Sequence, residues 1–407
     1  MTVARDKARA LALLMLAELL AMSLWFSASA VVPQLTAEWG LDLSEQAWLT
    51  MSVQAGFVAG ALLSAWLNLA DRIAAHRLLA AGALGGAVAN GLVVLVPGPP
   101  AALVLRFATG FALAWIYPPG MKIVASWTSR DRGLGIGLLV GALTIGSAAP
   151  HLINALPLAG GEAGTPPWRP VVLTASGSAL LAAAIAAAWV RSGPRLPAAS
   201  RFHWRYAIAA LADQPTRLAN IGYLGHMWEL YAMWAWVPML LLDSYRSAGL
   251  SELSARYAGF AVVAIGAPGC ALAGKLADRY GRTIVSAASL ALSGACCLCA
   301  GVVLESPVLL TAICLVWGSA VIADSAQFSA AVSELSDPAH VGTALTVQTC
   351  LGFLLTMVTL WLIPQVARSF GWIWAFALLA LGPAVGAAGM MRLRSMPAAS
   401  RMASGHR

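Results

Sequence analysis

The sequence predicts an all-α integral membrane protein with twelve transmembrane helices in two six-helix pseudo-repeated halves. Three observations predict it. The 407 residues are 60% hydrophobic and only 10% charged, against roughly 25% charged residues in soluble chains. Apolar runs recur from end to end at the length of about 20 residues that a helix needs to cross ~30 Å of hydrocarbon. A short stretch is also written twice: residues 18–25 read Glu-Leu-Leu-Ala-Met-Ser-Leu-Trp, and residues 229–236 read Glu-Leu-Tyr-Ala-Met-Trp-Ala-Trp, 211 positions later. Asp71-Arg72 and Asp278-Arg279 repeat in the same way, 207 positions apart, each at the end of an apolar segment. The short alternating segments of a membrane β-barrel are absent.

The first half, residues 1–190, opens on Arg5, Lys7 and Arg9 before an apolar run. A signal peptide would look similar, but the run from Ala10 to Val32 is too long and holds the first repeat copy, so it is read as span 1 at 10–32. Spans 2 to 6 are expected at 47–70, 78–96, 101–127, 134–157 and 170–190. Tyr117-Pro118-Pro119-Gly120 should break span 4 at mid-depth and free backbone groups there. His151, after Pro150 in span 5, is read as a packing residue or a ligand.

Residues 191–217 form the only long polar linker, with Arg191, Arg195, Arg201, Arg205 and Arg217. Within it Trp204–Ala212 has the pattern of a surface-lying amphipathic helix. The second half, 218–392, supplies spans at 218–242, 257–277, 284–304, 307–332, 341–364 and 373–391, followed by a cytoplasmic tail, 393–407. All six cysteines fall in its apolar segments without metal or disulfide spacing, which points to packing.

The net charge of +8 raises nucleic-acid binding as an option, but the cations gather in alternate loops rather than on one domain. On this map nineteen of the 25 Lys and Arg residues lie on one side; Arg169, Arg246, Arg256 and Arg368 lie on the other, and Arg106 and Lys122 lie inside spans. The positive-inside rule then puts both termini in the cytoplasm; the protein is read as residing in the cell inner membrane.

Gly274-Lys-Leu-Ala-Asp278-Arg279-Tyr-Gly281-Arg282 resembles the loop signature of the major facilitator superfamily. That signature normally stands between spans 2 and 3, with a fainter echo between spans 8 and 9. Here the echo is intact and the first copy is degraded: Leu67 replaces the first glycine, Ala74 the second, and one extra residue precedes His76-Arg77. The resemblance implies that Asp71, Arg72, Gly274, Asp278, Arg279 and Arg282 are conformational latches, the aspartate capping a neighbouring helix and pairing with arginine. Simple loop charge for topology is the alternative. Arg106-Phe-Ala-Thr-Gly110 is similar to the superfamily's span-4 pattern, which is tied to proton coupling. The Gly-Pro antiporter signature of span 5 is only suggested, by Gly137, Gly141, Gly146 and Pro150.

By that resemblance spans 1, 4, 7 and 10 line a central cavity while 3, 6, 9 and 12 face lipid. The charges follow this division: Glu18 in span 1, Arg106 and Lys122 in span 4, His226 and Glu229 in span 7, and Asp324 in span 10, with no charge inside the four outer spans. Hydrocarbon tolerates charge only toward a wet or paired interior. A carboxyl removed from water favours its neutral form, so Glu18 and Glu229 are expected to exchange a proton, or else to be static partners of Arg106 or Lys122. His226, one turn before Glu229, is expected to relay its proton or hold it ionised. Asp324 is a third such site or a partner for Lys122, and Gln327 lies one turn beyond it. Lys122 either snorkels to the interface or binds an anionic solute. Tyr117, Trp25, Tyr231 and Trp234 are the expected wall residues.

These readings imply a monomeric secondary transporter among membrane lipids, moving a small molecule with protons by alternating access. An organic or inorganic anion is favoured by Arg106 and Lys122; proton-driven efflux of amphipathic compounds is the alternative. No nucleophile–base set, metal cluster or cofactor motif points to an enzyme.

Overall fold

The computed structural model describes residues 2–128, 132–156, 167–195, 204–337 and 340–406. Arg130, Arg201 and Arg407, counted above among the loop cations, lie outside these residues, as does 196–203 of the linker. Among the described residues every regular element is helical. Within the described residues ten helical segments are long and apolar enough to cross a membrane. The two further spans, Thr2–Met22 and Gln214–Ser247, are those carrying Glu18 and Glu229.

Helix ends follow local chemistry. Asp42 and Glu45 form a reciprocal capping box at the start of span 2, Leu43–Trp66. Asp213 accepts from the Thr216 amide to begin span 7. Span 4 is two helices, Pro99–Leu113 and Tyr117–Trp127, each with proline in its first turn. Span 10 is likewise Pro307–Ala323 and Ser325–Leu335, with the joint at Asp324.

Span 1 departs from the continuous helix expected over 10–32. It ends at Met22, turns irregularly through Ser23–Ala28, and resumes as Val32–Trp39. The physical reason lies in span 4, where Arg106 takes the carbonyls of Leu24 and Trp25.

The halves repeat in their packing as well as their sequence. A Cβ added at Gly60 would meet the Phe111 carbonyl at 2.4 Å, and one at Gly269 would meet that of Ser319 at 2.7 Å. A Cβ at Gly110 would meet the Val53 carbonyl at 2.0 Å, and one at Gly318 that of Val262 at 1.8 Å. Spans 2 and 4, and their counterparts 8 and 10, therefore touch backbone to backbone through glycine. The halves meet along span 2 with span 11, and span 5 with both helices of span 8.

Large exposed side chains such as Leu84, Leu180, Leu298 and Val385 turn outward from spans 3, 6, 9 and 12. This is the face that acyl chains cover. The linker helix Trp204–Ala212 docks on spans 7 and 11, with the Tyr206 ring stacked on His340 at 3.3 Å between centroids. Nor does the C-terminal segment hang free. Ala399 and Met402 are buried, Arg401 donates to the Leu335 carbonyl, and the Ala403 amide donates to Glu334.

Candidate functional site

Glu18, His226, Glu229 and Asp324 are each 0–1% exposed within the protein itself. None faces the acyl chains. Their settings nevertheless differ from one another. Glu18 lies beside the second helix of span 4: a Cβ at Gly120 would stand 3.1 Å from its Oε2. Among the described residues neither of its carboxyl oxygens has a hydrogen-bond partner. Tyr117 starts that same half-helix, three residues before Gly120.

Glu229 turns the other way, into its own half. Ser293 Oγ donates to it at 2.8 Å and Trp317 Nε1 at 2.7 Å. Trp317 stands 211 positions after Arg106, the same offset that separates the two glutamates. At matched positions one half thus uses a guanidinium to hold backbone, and the other an indole to hold a carboxylate. Neither acid pairs with Arg106 or Lys122, which sets aside the static pairs considered from sequence.

His226 meets Asp324 rather than Glu229. Its Nδ1 lies 2.9 Å from Asp324 Oδ1, with both side chains at most 1% exposed. Spans 7 and 10 are joined here, at the point where span 10 breaks. Gln327 Oε1 accepts from Arg282, which also grips Glu334 through two bonds of 2.7 Å, while the buried Gln327 amide nitrogen has no partner among the described residues.

The two intramembrane cations are occupied by protein groups. Arg106 makes five hydrogen bonds, to the carbonyls of Leu24, Trp25 and Leu49, to Ser27 Oγ and to Asn90 Oδ1. It staples spans 1, 2 and 3 to span 4, where proton coupling was expected of it. Lys122 donates to Asp71 Oδ1 and to the Ala70 carbonyl, both at 2.6 Å. It reaches the partly exposed end of span 2, as a snorkelling lysine would, and pairs there with an acid rather than standing free.

The two copies of the loop motif also behave differently. Asp71 is spent on Lys122, inside one half. Asp278 crosses to the other half, where a Cβ at Gly133 would fall 2.5 Å from its Oδ2. Gly133 is the second residue of the span-5 helix, Arg132–Ala155, so the carboxylate covers a helix N-terminus, where negative charge is favoured. Gly274 allows this approach: a Cβ there would stand 2.8 Å from the Gly133 carbonyl. Arg282 backs Asp278 at 3.6 Å. Arg72 is exposed, and Arg279 lies over the Tyr280 ring; among the described residues neither bridges the halves.

Between the halves sits an aromatic cluster. Trp25 contacts Phe57, Tyr231 and Phe353, with centroids 5.1 to 5.7 Å apart. Phe26 contacts Tyr231 and Trp234, and Phe57 meets Phe353 at 4.4 Å. Among the described residues the indole N–H groups of Trp25 and Trp234 have no acceptor. Two residues missed in the sequence join them. Gln54, one turn before Phe57 on the same face, and Gln348 of span 11 are buried with no partner for either amide atom. A glutamine in an otherwise apolar span was the available signal.

Beyond span 1, Glu38 accepts from the Trp168 indole and from Arg169 at 2.7 Å. The Trp168 hydrogen bond, ahead of Arg169, holds its carboxyl below the usual range.

A sequence model described as Major Facilitator Superfamily matches residues 14–358. No curated protein sequence matches the chain. Among solved structures it is similar to the proton:xylose symporter XylE bound to 6-bromo-6-deoxy-D-glucose, with a TM-score of 0.73, 16% identity and 96% of each chain covered. At that identity the likeness concerns the fold.

Proposed function

The chain belongs to the major facilitator superfamily of membrane transporters and is not an enzyme; from that premise we propose that it is a proton-coupled secondary transporter for amphipathic solutes that are neutral or positively charged. It works as a monomer in the inner membrane, both termini cytoplasmic, as the distribution of Lys and Arg supports. The sequence favoured an anion because of Arg106 and Lys122. With both cations bound to protein groups, the geometry favours the other solute class.

One observation carries the reading. Glu18 is a buried carboxyl with no partner, and a group in that condition is costly unless something else neutralises it. A proton does so in one part of the cycle; a cationic or hydrogen-bonding solute does so in another. A carboxyl that has taken a proton no longer offers a charge to a cationic solute, so proton and cation displace one another, which is the logic of exchange; a neutral solute instead hydrogen-bonds to the carboxyl in either state. The aromatic rings and the unpartnered Gln54, Trp25 and Trp234 groups supply apolar walls, cation–π faces and hydrogen bonds. The His226–Asp324 pair is a second place where a proton changes the balance between conformers. Either ligand shifts that balance only by binding one conformer better. The shared fold of a proton:xylose symporter is compatible with proton coupling.

Everted vesicles energised by a pH gradient test this. An aromatic quaternary ammonium compound, permanently charged, should consume the gradient saturably in the parent and not in Glu18→Gln. Saturable, pH-dependent uptake of an organic anion that survives Glu18→Gln would overturn the proposal.

A further inference from the structure

On the outer surface, the first helix (Thr2–Met22) packs along that of span 6 (Trp168–Ala188). Between their ends on the N-terminal side lies a groove of about 500 Å³, lined by Arg9, Ala12, Leu13, Leu16 and Trp189. Arg9, Ala12, Leu13 and Leu16 follow the 3–4 residue spacing of one helix face. Leu16 is 45% and Trp189 53% exposed, so the groove opens to the membrane rather than to the core.

The charges divide along it. Arg9 has no ion-pair or hydrogen-bond partner among the described residues. Arg5 and Lys7 stand near it, with Asp6 the one carboxylate of that segment. Arg191, two residues beyond Trp189, is spent on the carbonyls of Ala187, Ala188 and Val190 at the end of span 6. It thereby offsets the negative end of that helix, which would otherwise repel an anion. An interfacial indole, an apolar floor and a free guanidinium toward the membrane surface match a lipid with an anionic headgroup.

We propose that this groove is a binding site for one anionic phospholipid, its phosphate on Arg9 and an acyl chain against Leu13, Leu16 and the Trp189 ring. The occupant belongs to the leaflet on the N-terminal side, whichever solute is carried, so the site stands apart from the transport reading.

The test uses the full-length protein in nanodiscs and reads tryptophan quenching by brominated lipids. The Trp189 signal is isolated as the difference between the parent and Trp189→Phe. Brominated phosphatidylglycerol should quench it at a several-fold lower mole fraction than brominated phosphatidylcholine. Arg9→Gln should bring the two curves together, as should high salt. Arg9 and Trp189 are surface groups, so both variants are expected to fold, and parent-like melting confirms it. Superimposed curves in the parent, or a preference that survives Arg9→Gln, would overturn the assignment.

Discussion

Glu18 and Glu229 hold matching places in the two halves yet are held in opposite ways: Glu229 accepts from Ser293 and Trp317, and Glu18 accepts from nothing. On the proposed reading the equivalent acids have different tasks, Glu229 held in place and Glu18 exchanging its proton. Glu18→Gln should abolish the coupling of solute movement to pH while leaving thermal stability unchanged or raised, because it deletes an unpartnered buried acid. Glu229→Gln retains one acceptor of the two and should cost about 1 kcal/mol while keeping pH-dependent transport. Melting in detergent and vesicle transport, read together, separate the two roles.

The His226–Asp324 contact predicts a coupled pair. Removing one partner of a buried pair leaves the other uncompensated, a loss of about 3–5 kcal/mol. Asp324→Asn and His226→Gln should each destabilise the protein, and the double variant should lose clearly less than the sum. Additive losses would mean that the 2.9 Å approach contributes no coupling.

The sequence made the scaffold legible because its cause is local: apolar length, proline at half-helix starts and a repeated Glu-Leu-x-Ala-Met stretch. Partner choice was less legible. The three-residue spacing of His226 and Glu229 puts them on one helix face but says nothing of what stands opposite, and Asp324 stands there. The break in span 1 was also invisible, since Ser23–Ala28 contains neither glycine nor proline. Its freed carbonyls are answered by Arg106, about eighty residues on. Lys122 misled for the same reason, as the acid it meets lies at the far end of another span.

Across the halves, Asp278 against Gly133 should act as the conformational latch that Asp71 does not provide. Gly133→Val would push a side chain into the carboxylate, 2.5 Å from the place a Cβ would take. It and Asp278→Asn should both expose the N-terminal side of the central path. Cysteines introduced there should react several-fold faster with a membrane-impermeant maleimide. Asp71→Asn should have a smaller effect, because its partner Lys122 belongs to the same half.

Glu38 gives a pH dependence whose sign is fixed. The native carboxyl titrates below its ordinary value of 4.5, so its stabilisation is complete above that value. It fades as pH falls through the lowered native one. The group is 38% exposed and its partner Arg169 51%, so the effect is screened and stays below about 1 kcal/mol. Parent and Glu38→Gln melting temperatures should differ at neutral pH and converge in acid. A gap that widens on acidification would contradict the assignment.

Arg106 separates a coupling residue from a staple. If its positive charge served proton movement, Arg106→Lys would keep much of the function. The structure instead uses the shape of the guanidinium: five donor contacts spread over Leu24, Trp25, Ser27, Leu49 and Asn90. An ammonium has three donors and no planar fork, so it cannot serve the unwound carbonyls of span 1 and Asn90 together. Arg106→Lys should therefore lose about 3 kcal/mol or more, seen as a lowered melting temperature and reduced folded yield. The folded fraction that remains should transport with unaltered pH dependence, because Glu18 is untouched. A stable Arg106→Lys protein with a shifted pH profile would instead return this residue to the proton path.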